Sequence, residues 1–214
     1  MSLGGGSSKT LDMAVNAAVE AGLHFAVAAG NDNQDACNYS PAAAEKAVTV
    51  GASSLADARA YFSNHGKCVD IFAPGLNILS TWIGSKDATN TISGTSMASP
   101  HICGLLTYFL SLTPSSDSDY TVPVTPAKLK KRMVHIATPG KLTDIPEGTV
   151  NLLAWNGGIN GNGTSKFRLE DTPSETKHSW KESVREEFEM IEKEGKEWMD
   201  KAKEFLRKEV ENAL

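Results

Sequence analysis

Residues 92–101 read ISGTSMASPH. A polar turn, Ser93-Gly94-Thr95, delivers the hydroxyl of Ser96 to the first turn of an apolar run from Met97 to Leu112. A helix start has unpaired N–H groups and a dipole that favour negative charge, so a hydroxyl mounted there is placed for nucleophilic attack. Gly94 leaves room for a substrate backbone lying against the turn. A Ser or Thr before an apolar run also serves as an ordinary helix cap, and for a bare Gly-Thr-Ser both readings stay open. A second string carries chemistry where the apolar run of residues 24–29, HFAVAA, stops at Gly30-Asn31-Asp32-Asn33. An Asn at the carboxyl end of a parallel strand lies where α/β proteins gather function. Its amide N–H suits a developing oxyanion, at roughly 3 kcal/mol of barrier, although Asn after Gly is also a common turn residue.

The elements that must hold these groups are legible as an α/β pattern. Residues 1–4 read as a strand end running into a glycine turn. Ser7 or Ser8 caps a helix whose Leu11, Ala14, Val15, Ala18 and Val19 share one face, and Gly22 ends it. Residues 24–29 and 47–53 are short continuous apolar runs, as buried parallel strands are, and the order strand, helix, strand indicates an α/β layer. Thr125-Pro126 opens a helix through Leu129, Met133, Val134 and Ile136. The apolar fraction, 40%, is concentrated before about residue 156, and the net charge of −5 gives no support for nucleic acid or an acidic membrane surface. No run is long and apolar enough to span a bilayer.

The full string GTSMASPH resembles the nucleophile motif of subtilisin-like serine proteases, and AAGN resembles that family's oxyanion segment. From NYSPA through FSN and VDIFAPG to ILSTW the chain resembles the proteinase K and aqualysin branch, most closely the fungal vacuolar, cerevisin-like enzymes; the likeness ends around Asn156. The resemblance implies a partial subtilisin-like three-layer α/β fold with a mostly parallel sheet. It implies a serine endopeptidase acting through an acyl-Ser96 intermediate, with Asn31 as oxyanion donor and peptides or proteins as substrates. Ser2, Leu3 and Gly4 correspond to the strand that pairs with substrate backbone. Ala28, Ala29 and Gly30 correspond to walls of the P1 pocket, small and apolar enough for sizeable apolar or aromatic side chains. The chemistry requires no cofactor. Asp70 falls where relatives place a calcium-binding aspartate beside backbone carbonyls, but one carboxylate is far from the six or more oxygens calcium takes, and residues 43–46 depart from the relatives; structural calcium stays open. Cys37 and Cys68 match positions bridged in some relatives, which suits an oxidising secretory or vacuolar route, with two reduced cysteines as the alternative. Cys103 is expected to be a small buried hydrophobe on the nucleophile helix.

The family's base and its orienting carboxylate lie in His-Gly-Thr and Asp-Ser/Thr-Gly motifs, and neither string occurs here. The histidines are His24, His65, His101, His135 and His178. His101 sits five residues along the same helix and points away from Ser96, a position that is structural in the family. His24 and His65 read as packing or surface residues. Residues 1–156 therefore read as the C-terminal part of a peptidase domain, lacking its acid–base machinery and expected to be inactive alone. Its missing N-terminal part is an expected partner. Residues 157–178 are a Gly/Asn-rich linker with a glycosylation sequon at Asn162. Residues 179–214 form a charged amphipathic helix with a stripe through Val184, Phe188, Ile191, Trp198 and Phe205, a candidate propeptide by resemblance. A non-catalytic peptide-binding or antigenic fragment is the second reading.

Overall fold

The structure, a computed structural model, describes residues 1–112 and 124–158. Two units are distinguished, Met1–Glu170 and Asp171–Leu214, and every described residue lies in the first. The sequon at Asn162, His178 and the helix expected over residues 179–214 lie outside the described residues.

The elements in order are β1 (Gly5–Gly6), α1 (Lys9–Glu20), β2 (Ala26–Ala28), β3 (Tyr39–Ser40), β4 (Val48–Ser53), β5 (Ile71–Pro74), β6 (Ile78–Thr81), β7 (Thr89–Ile92), α2 (Thr95–Ser111), α3 (Pro126–Ile136), β8 (Thr138–Pro139) and β9 (Leu152–Leu153). The main sheet runs β2-β4-β5-β9-β8, parallel except for β8 against β9. Its central strand β4 is buried along its whole length because both faces are covered. Alternate residues Val48, Val50, Ala52, Ile71 and Ala73 pack with Ala98, Ile102, Leu106 and Phe109 of α2 and with Leu129 and Met133 of α3. On the other face Val27 meets Val15 and Val19 of α1, and Phe72 meets Ala29, Val69 and Leu142. The result is the expected three-layer, mostly parallel α/β arrangement.

Local chemistry sets the helix ends. The Ser8 hydroxyl accepts the Leu11 N–H at the start of α1. At its end Gly22, at φ +96°, lets the Leu23 N–H reach the Ala18 carbonyl and its own N–H reach Val19. Thr125 caps α3, with Pro126 at its first position.

Two expectations need correction. Residues 1–4 do not form a strand: Met1 alone bonds to β2, its amine to the Ala26 carbonyl and its carbonyl to the Ala28 N–H, and the strand is Gly5–Gly6 against β3. That pairing is anchored by Ser40, whose hydroxyl accepts the Ser8 N–H and bonds the Asp12 carboxylate. Cys103 is exposed, not buried, because it lies on a flank of α2, with Gly104, Thr107 and Tyr108, that no described residue covers.

Cys37 and Cys68 are joined in a disulfide that closes a loop of sequence separation 31, tying the segment after β2 to the approach of β5. Replacing both by Ala is expected to lower unfolding free energy by about 3 kcal/mol through the freer unfolded chain. Urea unfolding checks this; equal midpoints for the two forms would show that the bridge does not restrict the unfolded state.

Candidate active site

The site lies at the carboxyl ends of β2 and β5. After Ala28 the chain turns at Gly30, φ +105°, into Asn31. Asn64, fully buried, holds this loop: its Nδ2 donates to the Ala29 carbonyl at 2.8 Å, and its Oδ1 accepts the Asp32 and Gln34 N–H groups, each at 3.0 Å. Beyond β5, the Gly94 N–H donates to the Gly75 carbonyl at 2.8 Å, which seats the turn before α2 on the sheet's edge. A Cβ at Gly75 would lie 2.6 Å from the Ala52 Cβ and 2.8 Å from the Gly94 carbonyl oxygen, so the approach requires glycine.

Thr95, buried at the first position of α2, joins the two halves. Its N–H and Oγ1–H both donate to the Asn31 Oδ1, at 2.8 and 2.9 Å, and its Oγ1 accepts the Gly30 N–H at 3.1 Å. With two donors on Oδ1, the Asn31 amide has one favourable orientation, which leaves its Nδ2 hydrogens directed elsewhere. A point at the Cβ position of Gly94 is 3.6 Å from the Asn31 Nδ2 and 3.5 Å from the Ser96 backbone nitrogen. Neither nitrogen has an acceptor among the described residues. Asn31 is exposed and Ser96 partly so, so a ligand reaches both. A hydroxyl beside two free N–H donors at a helix start can attack a carbonyl and stabilise the oxyanion that forms.

The other expected site residues fall unevenly around this point. The Ser96 Oγ donates to the Ser2 carbonyl at 3.3 Å, so the segment with Ser2, Leu3 and Gly4 runs beside the nucleophile, all three exposed. Ala28 and Ala29 are buried, Ala29 against Ala36, Ala42, Val69 and Phe72, and only Gly30 of that trio shows surface. Among the described residues no imidazole hydrogen-bonds Ser96. His24 is partly buried beside Phe25, Val48 and Leu106, and burial pushes its pKa below the ordinary value. His65 is engaged through its backbone with Gln34 and Ala36. His101 and His135 are exposed on their helices.

Asp70 lies at the opposite end of the sheet, just before β5. Its Oδ2 is 2.8 Å from the Lys130 Nζ and accepts the Thr49 N–H at 2.8 Å. Burial raises the carboxyl's pKa, while the Lys130 ammonium and the Thr49 N–H draw it back. Among the described residues no three His, Cys, Asp or Glu side chains cluster for a metal, and a lysine ammonium stands against Asp70. As they stand, these residues do not fit a resident calcium ion.

Sequence reasoning missed Thr95, Asn64 and Lys130. The signal for Thr95 was a second hydroxyl inside the nucleophile string, and for Asn64 its place in the FSN string; Lys130 had none, since its partners are remote in sequence.

A model of the subtilase family matches residues 1–166. The subtilisin-like serine protease Pen c 2 of Penicillium citrinum is 76% identical over 165 residues, covering 77% of this chain and 36% of that protein. Alkaline protease 2 of Aspergillus fumigatus is 75% identical over 165 residues, covering 77% of this chain and 33% of that protein. The crystal structure of a cold-adapted subtilisin-like serine proteinase matches with a TM-score of 0.66 and 44% identity, over 73% of this chain and 53% of that one. The chain thus spans about a third of the length of the curated relatives it matches.

Proposed function

The chain belongs to the subtilase family, and from that premise we propose that residues 1–156 are the C-terminal part of a serine endopeptidase domain. The Ser96 Oγ attacks the carbonyl carbon of a peptide bond, and its proton passes to an imidazole supplied from outside the described residues. The resulting oxyanion accepts hydrogen bonds from the Asn31 Nδ2 and the Ser96 N–H. Collapse of the tetrahedral intermediate breaks the C–N bond, the imidazolium gives its proton to the leaving amine, and water then hydrolyses the acyl-Ser96 ester. The observation that carries this reading is the paired donation of Thr95 to the Asn31 Oδ1, which turns the amide nitrogen toward the Ser96 side.

Substrates on this reading are peptides and proteins, with residues 2–4 receiving substrate backbone and apolar or aromatic P1 side chains entering beside Gly30. The disulfide supports passage through an oxidising secretory or vacuolar route. Residues 157–178 serve as a linker open to glycosylation at Asn162, and residues 179–214 as a charged C-terminal extension.

A fluorophosphonate probe tests the assignment. The isolated chain is expected to stay unlabelled, since no imidazole among the described residues bonds Ser96, and to label at Ser96 when residues 1–156 replace the matching segment of Alkaline protease 2. Rapid labelling of the isolated chain would show that a base is already in place. A folded chimera that binds peptide but never acylates would favour the non-catalytic reading.

A further inference from the structure

The Lys130 side chain leaves α3 and ends among three oxygens. Its Nζ is 2.8 Å from the Asp70 Oδ2 and donates to the Glu45 carbonyl at 2.8 Å and the Ala47 carbonyl at 2.6 Å. An ammonium has three N–H donors, and all three are used. The acceptors come from two separate segments: the carbonyls two residues apart just before β4, and the carboxylate just before β5. The Thr49 N–H holds the carboxylate in place from β4. The neighbouring cation, Lys46, is engaged by Glu20 instead. His24, Phe25, Lys46, Val48, Leu106 and Pro126 line a hollow together with Lys130, whose side chain is 19% exposed.

One carboxylate and two backbone carbonyls converging on a point form the donor set of a hard, calcium-sized cation, with water completing the shell. Here that point holds nitrogen. We propose that the Lys130 ammonium is a built-in cation in a calcium-type oxygen site, so that this end of the sheet takes no metal and becomes a divalent-cation site only when Lys130 is shortened. The charge count is consistent: Asp70 and Lys130 neutralise each other, whereas a divalent ion added beside the lysine would leave two positive charges in excess at a partly buried point. The inference is independent of Ser96 chemistry, which occupies the other end of the sheet.

Thermal unfolding of the full chain in EDTA, calcium or magnesium tests it. The wild-type chain is expected to show no calcium response at this site, so that Asp70→Asn leaves its response to 10 mM calcium unchanged. Lys130→Ala is expected to melt several degrees lower in EDTA and to regain about 3–6 °C in calcium, less in magnesium. Adding Asp70→Asn to Lys130→Ala abolishes that gain. The inference is overturned if Lys130→Ala responds to calcium no more than wild type, or if Asp70→Asn removes a calcium response present in wild type. Acylation of wild-type lysines gives a readout that does not depend on the variant folding. Lys130 is expected to react about tenfold or more slowly than the exposed Lys86, with no acceleration by calcium. Reaction as fast as Lys86, or faster in calcium, would show an ammonium that is not held or that an ion displaces.

Discussion

Exchanging Asn31 for Leu is expected to lower kcat for peptide hydrolysis about 10²–10³-fold and to leave KM nearly unchanged, a magnitude known from the corresponding donor in subtilisin, itself a member of this family, rather than derived from this geometry. The measurement uses the chimera in which residues 1–156 replace the matching segment of Alkaline protease 2. The kinetic pattern follows from what the side chain does. Its Oδ1 is occupied by the Thr95 N–H and Oγ1, so only the Nδ2 faces the reacting centre, and it has most to gain when the carbonyl oxygen becomes charged. An interaction made mainly in the transition state lowers kcat and kcat/KM together. Thr95→Val is the graded companion. It removes one of the two donors on Oδ1 and the acceptor of the Gly30 N–H, but keeps the Thr95 N–H, so a kcat loss of about 3–10-fold is expected. A rise in KM with unchanged kcat for Asn31→Leu would make the amide a ground-state contact and remove its assigned role.

How far the sequence discloses this site depends on the distance over which each determinant acts. Ser96 and Asn31 are legible because each sits in a short string whose chemistry is local: a hydroxyl at a helix start, an amide at a strand end. The strand Val48–Ser53 and the helix ends at Gly22, Thr125 and Pro126 are legible for the same reason, since apolar runs and capping atoms act within a few residues. Thr95 and Asn64 are different. Thr95 meets Asn31 across 64 positions, and the Asn64 amide meets Ala29 across 35, with no periodicity to announce either contact. Lys130 on an amphipathic helix reads as a solvent-facing residue, and only the folded chain brings Glu45, Ala47 and Asp70 around its tip.

Where sequence reasoning went wrong, the missing quantity was again tertiary. Three consecutive glycines offer no alternation of side chains to fix a register, so the placement of the first strand is set by Ser40 and its bonds to Ser8 and Asp12. Helical spacing places Cys103 on α2 but does not say which flank of α2 is covered, and burial depends on that.

Gly30→Ala is expected to lower unfolding free energy by about 3–5 kcal/mol, because two separate penalties meet at one Cβ. The first is conformational: at φ +105° an L side chain costs about 1–2 kcal/mol. The second is steric: the new Cβ would lie 2.2 Å from the Asn64 Nδ2 and 3.1 Å from its Cγ. Asn64 is fully buried and uses both ends of its amide, so moving it strains three hydrogen bonds, at roughly 1 kcal/mol each. Urea unfolding of wild type, Gly30→Ala, Asn64→Ala and the double variant separates the two penalties. Asn64→Ala already forfeits those hydrogen bonds and opens space for the Cβ. In the double variant, therefore, only the backbone strain is added, and its loss should fall short of the summed single losses by about 2 kcal/mol or more. Strict additivity would mean that the Asn64 amide turns aside without loss, leaving φ as the whole reason for glycine. The coupled result would instead place Gly30 and Asn64 in one unit, with the loop carrying Asn31 held from the sheet side by Asn64 and from the helix side by Thr95.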